Sequence, residues 1–268
     1  MKYAIILLVA LVFRQSQAHY LTGRLIFDNH WTDTWEYVRK ISPYDGPLSD
    51  PNLALVYPNT DPASLDLRCG RNATKNWSTT KTAVLKAGDK VGFGAGAPTI
   101  SLDKIARIYH PGFGSVWMSK SPHDDVDRYE GDGDWFKILQ IVGRTEQSLD
   151  FEDPGNKNLY DRYKAMWGTF NVQSWNFTIP ATTPPGKYLL RFEHVFPNTY
   201  DSQFYVNCAH IEVVNPGVVG TPSPLVKIPG IYERGQPDVY FDHYNSSFIE
   251  HPEDISWFIP PQPNVWKG

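Results

Sequence analysis

Apolar and polar positions alternate along much of this chain with a period of two, the signature of β-strands. The clearest runs are residues 25–28, 82–86, 89–93, 104–109, 115–119, 135–140, 174–179, 187–196 and 203–214. In 187–196, Tyr188, Leu190, Phe192 and Phe196 share one side while Arg191 and Glu193 share the other, which predicts a half-buried strand. Clusters of Pro, Gly, Asn and Asp separate the runs, and no long helical period or internal repeat interrupts them. Many short strands with frequent turn signals predict an antiparallel β-sandwich of the immunoglobulin/fibronectin-III kind with long loops. From about residue 216 the strand pattern fades while prolines and aromatics continue, so 216–268 is expected to wrap the sandwich as an extended segment.

The first eighteen residues follow a different pattern. Lys2 precedes an unbroken apolar run over 3–13, and Ser16 and Ala18 are small residues placed for a cut before His19. The run is too short to span a bilayer, and a buried N-terminal helix is disfavoured because the run has no polar face and no cap. This predicts a signal peptide over 1–18, a secreted product, and one domain over 19–268. Its removal takes Lys2 and Arg14, leaving 23 basic against 29 acidic side chains, a net charge of −6. That balance is no footprint for nucleic acid or an anionic membrane. Cys69 and Cys208 both remain; in a secreted chain an even count suggests one disulfide, a free buried pair being the alternative. Four N-x-S/T acceptor motifs, at Asn72, Asn76, Asn176 and Asn245, accord with the secretory route.

Several chemical motifs are absent or incomplete. The glycines of G-F-G-A-G (92–96) precede Pro98 and no helical pattern, so they form no phosphate cradle. The acidic run 123–134 lacks EF-hand spacing, and neither G-x-S-x-G nor H-E-x-x-H occurs. Carboxylates are plentiful, but no spacing singles out a glycosidase pair. The eight histidines carry more information. His110, in I-Y-H-P-G-F-G (108–114), sits where a strand pattern meets a Gly/Pro turn. Alone, such a rim histidine is more often structural than a ligand. His19 alters that balance, because cleavage after Ala18 gives it a free α-amine beside its ring Nδ1. Amine, Nδ1 and a second imidazole make a planar three-nitrogen site, a geometry that favours Cu(II).

At this point the sequence resembles the fungal lytic polysaccharide monooxygenases of auxiliary activity family 9, formerly glycoside hydrolase family 61. The likeness rests on W-E-Y-V-R (35–39), L-D-L-R-C-G (65–70), Y-H-P-G-F-G-S-V-W-M-S-K (109–120) and G-D-W-F-K-I from Gly133. P-G-K-Y-L-L-R from Pro185, S-Q-F-Y-V-N-C-A from Ser202, I-P-G-I-Y from Ile228 and the closing P-N-V-W-K-G complete the set in family order. The resemblance implies a copper ion held by His19 and His110, an axial Tyr205, Gln203 beside it, and a disulfide between Cys69 and Cys208. It implies oxidative cleavage of cellulose or related β-1,4-glucans at C1 and/or C4. An external electron donor and O2 or H2O2 would serve a secreted monomer that has no membrane or nucleic-acid partner.

One stretch departs from the family pattern. The second-sphere histidine expected at the end of R-F-E-H-V-F-P-N (191–198) is replaced by Asn198, which cannot carry a proton near neutral pH. A non-catalytic copper- or glucan-binding sandwich that keeps the histidine pair is therefore the alternative reading. Tyr20, His243 and Tyr244 are the candidates for contact with sugar rings.

Overall fold

A computed structural model describes residues 19–73, 79–99, 104–243 and 255–268. In chain order its strands are β1 (Arg24–Phe27), β2 (His30–Trp31), β3 (Thr82–Lys86), β4 (Lys90–Gly94), β5 (Phe113–Lys120), β6 (Phe136–Ile141), β7 (Ser174–Thr178), β8 (Gly186–Phe196) and β9 (Gln203–Val214). They form a four-stranded sheet, β2-β1-β4-β7, and a five-stranded sheet, β3-β9-β8-β5-β6. The β-sandwich expected from the alternation is thus present.

One pairing departs from an all-antiparallel scheme: β3 runs parallel to β9. Between β3 and β4 the chain crosses from one sheet to the other instead of making a hairpin. Ala87 N still donates to Val214 O in the larger sheet, at 3.0 Å, while Gly88 N donates to Ile179 O beyond β7, at 2.9 Å. Gly88 has φ +95°, a conformation that costs other residues a Cβ clash.

Two further local patterns escape the alternation. The run 104–109 forms no strand. Its one β-like contact is at Ile108, which bonds to Val172 O and accepts from Asn171 N. Asn171 lies at φ +61°, so its partner stretch turns away before a ladder is built. Conversely, a six-residue helix, α1 (Pro51–Val56), is specified by its start alone. Asp50 accepts from Asn52 N and Leu53 N, and Pro51 occupies the first turn, where its missing N–H costs nothing.

The larger sheet is covered on both faces. Towards the smaller sheet it presents Val116, Met118, Tyr188, Leu190, Phe192, Ala209 and Ile211, packed against Leu25, Phe93, Trp175 and Phe177. On its other face Trp117, Leu189, Val195, Phe204, Val206 and Cys208 meet Leu67, Cys69 and the later residues Tyr232, Val239 and Phe258. The second layer of cover corrects the half-buried reading of β8, whose Arg191 and Glu193 are wholly buried. Arg191 donates to Leu67 O at 2.9 Å and pairs with Glu193 at 2.6 Å, while Ser115 and Tyr232 donate to the other carboxylate oxygen. Cys69 and Cys208 form a disulfide across 139 residues of chain. The described residues after β9 form no regular element; Val226 makes a single β-bridge with Trp135, and Lys137 donates to Pro261 O.

Candidate metal centre

The site gathers at the end of the sandwich where β8 finishes and β9 begins. Residues 20–22 tie the described start of the chain to β9. The ring of Tyr20 stacks on Tyr205 at 4.1 Å between centroids and 15° between planes. Its hydroxyl bonds to His194 Nδ1, and the amide and hydroxyl of Thr22 both donate to Asn207 Oδ1. These anchors leave His19 over the rim, its ring 6.3 Å from that of Tyr205.

His110 arrives from the opposite side on a loop that closely approaches β8. A Cβ on Gly112 would lie 2.0 Å from Val195 O, so only glycine permits this path, and its φ of +149° is equally restrictive. Thr169 Oγ1 donates to Gly112 O and holds the loop from behind. The His110 ring then stacks on Phe196, the last residue of β8, at 4.2 Å and 11°. The His19 and His110 rings end 5.9 Å apart, and His110 is 5.9 Å from Tyr205.

Burial sets the protonation of this cluster. It lowers the pKa of His19 to about 4. It holds His110 well below its ordinary value, with repulsion from His19 and His194 adding to the effect. Both rings are therefore neutral near pH 7, the form that offers a lone pair to a metal. Burial raises Tyr205 well above the usual phenol range, so its hydroxyl keeps its proton and donates to Gln203 Oε1 at 2.7 Å.

His19 Nδ1 and His110 Nε2 are buried without a hydrogen-bond partner. Leaving such groups unsatisfied costs about 1–3 kcal/mol each. Two of them on adjacent neutral rings fit a metal ion that both can bind. Among the described residues no group of three or more His, Cys, Asp or Glu surrounds such an ion. The histidine pair therefore needs a further donor of another kind.

The remaining candidates fall elsewhere. Tyr20 is 4% exposed and stacked on Tyr205, so its ring is part of the support and has no free face for a sugar. His243 is also buried, its ring edge against Phe196 and its Nδ1 3.2 Å from Pro197 O. Asn198 is exposed, and its side-chain oxygen accepts from Tyr200 N within the β8–β9 turn. Asn72 lies in an exposed turn, and Asn176 is half-buried on β7. Residues 1–18, Asn76, Tyr244 and Asn245 lie outside the described residues.

Three neighbours of the site were not singled out from the sequence. His194 faces Tyr205 in the β8–β9 register, and Phe196 lies opposite Gln203; alternation along β8 places both on that face. Tyr57 packs edge-on against His19 at 5.2 Å and is itself stacked on Tyr44. It reaches the site from the residue that ends α1, and no local pattern signals that contact.

A two-sheet sandwich with two neutral, half-buried histidine rings side by side at one end of its strands is a candidate metal-binding protein. The profile of Auxiliary Activity family 9 (formerly GH61) matches residues 19–251, beginning at His19 itself. The chain belongs to this family, whose members are copper-dependent monooxygenases acting on polysaccharides. It is 37% identical to AA9 family lytic polysaccharide monooxygenase U of Thermothielavioides terrestris, over 94% of this chain and 93% of that protein. It is 32% identical to monooxygenase C of Emericella nidulans, over the full length of both. The crystal structure of HiLPMO9B superposes with a TM-score of 0.62 at 24% identity, over 93% of this chain and all of that one, a likeness of fold.

Proposed function

We propose that the protein is secreted, is cut after Ala18, and then holds one copper ion through the His19 α-amine, His19 Nδ1 and His110 Nε2. Cellulose or a related β-1,4-glucan is its substrate, oxidised at C1 and/or C4. The observation that carries this reading is the pair of buried, unpartnered nitrogens on neighbouring neutral rings. Within the described residues no helix is long and apolar enough to cross a membrane.

Copper, when bound, supplies the redox chemistry by which an external electron donor and O2 or H2O2 hydroxylate a C–H bond beside the glycosidic oxygen. The protein's own residues do the rest. Cleavage of the Ala18–His19 bond converts a neutral amide nitrogen, whose lone pair is delocalised, into an amine of pKa about 7.7–8.0 that readily gives up its proton to a metal. Phe196 and Gly112 fix the plane and approach of His110. Tyr20 stacks on Tyr205 and fixes its ring, and Tyr205, which would be a further ligand to the copper, has its proton committed to Gln203. Gln203 then has its side-chain amide N–H available as a donor towards the oxidant.

The experiment combines N-terminal sequencing of secreted protein with mass spectrometry of the products formed from cellulose with copper and ascorbate. A start at His-Tyr-Leu and the appearance of aldonic acids or 4-ketosugars are expected. A different N-terminus overturns the metal site, and reductant-independent plain sugars overturn the oxidative reaction. His110→Ala is expected to abolish tight copper binding in a calorimetric titration.

A further inference from the structure

The turn joining β8 to β9 carries a feature that the metal centre does not use. Tyr200 is 83% exposed, more than any other large apolar side chain among the described residues. Exposed turn residues usually keep their backbone freedom, which lets a projecting ring fold back onto the surface. Here the backbone is tied on both sides of the ring. Tyr200 N donates to Asn198 Oδ1 at 3.3 Å, and Tyr200 O accepts from Arg234 Nη1 at 3.3 Å. The same guanidinium donates through Nη2 to Thr60 O at 3.1 Å, bracing the turn against the chain that follows α1. Ser202, wholly buried, accepts from Asn198 N at 3.0 Å and places its hydroxyl within reach of Asn198 O and Val239 O.

The position of the turn is set by its two ends. It leaves β8 at Phe196, which stacks on His110, and enters β9 at Gln203, which accepts from Tyr205. Three residues span at most about 11 Å of chain, so the Tyr200 backbone stays within that distance of Gln203. The backbone that carries the ring is held near the centre, and the exposed ring lacks only a partner with an apolar face. Tyrosine suits this role because its large amphipathic ring has only two side-chain torsions to immobilise. The C–H face of a pyranose ring is such a partner, whereas an anion gains nothing from the ring's electron-rich face.

The geometry points to Tyr200 as a glucan-binding platform, stacking on a sugar ring close to the one oxidised, with Asn198 and Arg234 as its positioning residues. This rests on the proposed glucan substrate. It gives Asn198 a task in substrate placement in the turn where a second-sphere histidine was expected.

The test compares copper-loaded, processed wild type with Tyr200→Ala and Tyr200→Phe in binding isotherms on swollen cellulose. Copper titration and thermal melting of each variant serve as controls. Tyr200→Ala is expected to weaken partitioning about five- to tenfold. Tyr200→Phe should remain within about twofold of wild type, because it keeps the ring. Copper affinity and melting temperature should not change in either variant, which separates lost stacking from a disturbed fold. Equal binding by wild type and Tyr200→Ala overturns the platform while leaving the glucan reading intact. Wild type that binds no glucan overturns that reading, and the platform with it.

Discussion

The two faces of the five-stranded sheet solve burial in different ways. The face towards the smaller sheet is apolar until it reaches the candidate metal centre, where Tyr205, His194 and Phe196 end it with polar and aromatic groups. The opposite face buries charge along its length. Arg191 and Glu193 pair on β8, and Arg39 Nε donates to His210 Nε2 at 2.7 Å on β9. Arg39 also donates to Val126 O and Tyr129 O, which ties a surface loop to the sheet. Buried charge is tolerated there because most of its donors meet a backbone carbonyl or a counter-charge, although Arg191 Nη1 and His210 Nδ1 have no hydrogen bond. At the rim the unanswered nitrogens of His19 and His110 lie on neighbouring rings 5.9 Å apart. Burial depresses histidine pKa values on both faces, to about 4 for His19 and about 3 for His210. A shifted pKa therefore does not mark the centre. The convergence of two unanswered nitrogens does.

The largest effect should come from breaking the charged face. Glu193→Ala strands Arg191 in the interior and is expected to cost about 3–5 kcal/mol in denaturant unfolding. The double change Arg191→Met with Glu193→Leu should cost far less, or even stabilise, because no lone charge remains. If the single and double variants unfold alike, the ion pair is not what distinguishes this face.

Removing the cross-link that joins this face to the Leu67–Cys69 segment comes next. Cys69→Ala with Cys208→Ala should lower stability by about 2–5 kcal/mol, since the disulfide closes a very long loop in the unfolded chain. Copper affinity should be kept, because the disulfide and Tyr205 lie on opposite faces of β9.

Acid separates the two kinds of histidine environment more gently. His210 titrates near 6.5 when unfolded but is lowered to about 3 in the fold, first by burial and then by Arg39. Between these values the unfolded chain binds the extra proton, so stability falls as pH drops from about 6.5 towards 3. The slope is about 1.4 kcal/mol per pH unit for one such group. His210→Gln keeps an acceptor for Arg39 and should flatten that slope by one proton's worth when denaturation midpoints are followed with pH. Glu193, held below the usual carboxylate range by Arg191 and three hydrogen bonds that outweigh its burial, adds a further loss only below about pH 4.5.

The smallest effect belongs to the rim. Tyr20→Phe keeps the ring stacked on Tyr205 but removes its bond to His194, at a cost of about 1 kcal/mol. Copper titration should then report little change. A large loss would mean that the hydroxyl, and not the stack, positions His19.

Much of the frame was legible in the chain. Eight of the nine observed strands lie at predicted runs, because alternation records which side chains face a core. The short β2, the six-residue α1 and the irregular 104–109 stretch escaped, since each depends on caps, turns or a partner's geometry and not on periodicity. The candidate site was marked in the sequence by local order: small residues before His19, a Gly/Pro turn after His110, and Gln203 and Tyr205 two apart on one strand. Tyr20 and His243 were expected at the sugar surface and are buried, because alternation says that a side faces something without saying what covers it.

By itself, then, the sequence determined the strand pattern and the residue types able to hold a metal, both of which are properties of neighbours along the chain. Only the tertiary structure decided which buried polar groups find partners. Arg191 and His210 meet partners more than a hundred residues away in sequence, as His194 does at Tyr20, whereas His19 Nδ1 and His110 Nε2 meet none. The physical reason is that desolvation acts on every buried group alike, whereas its compensation depends on where distant segments come to rest.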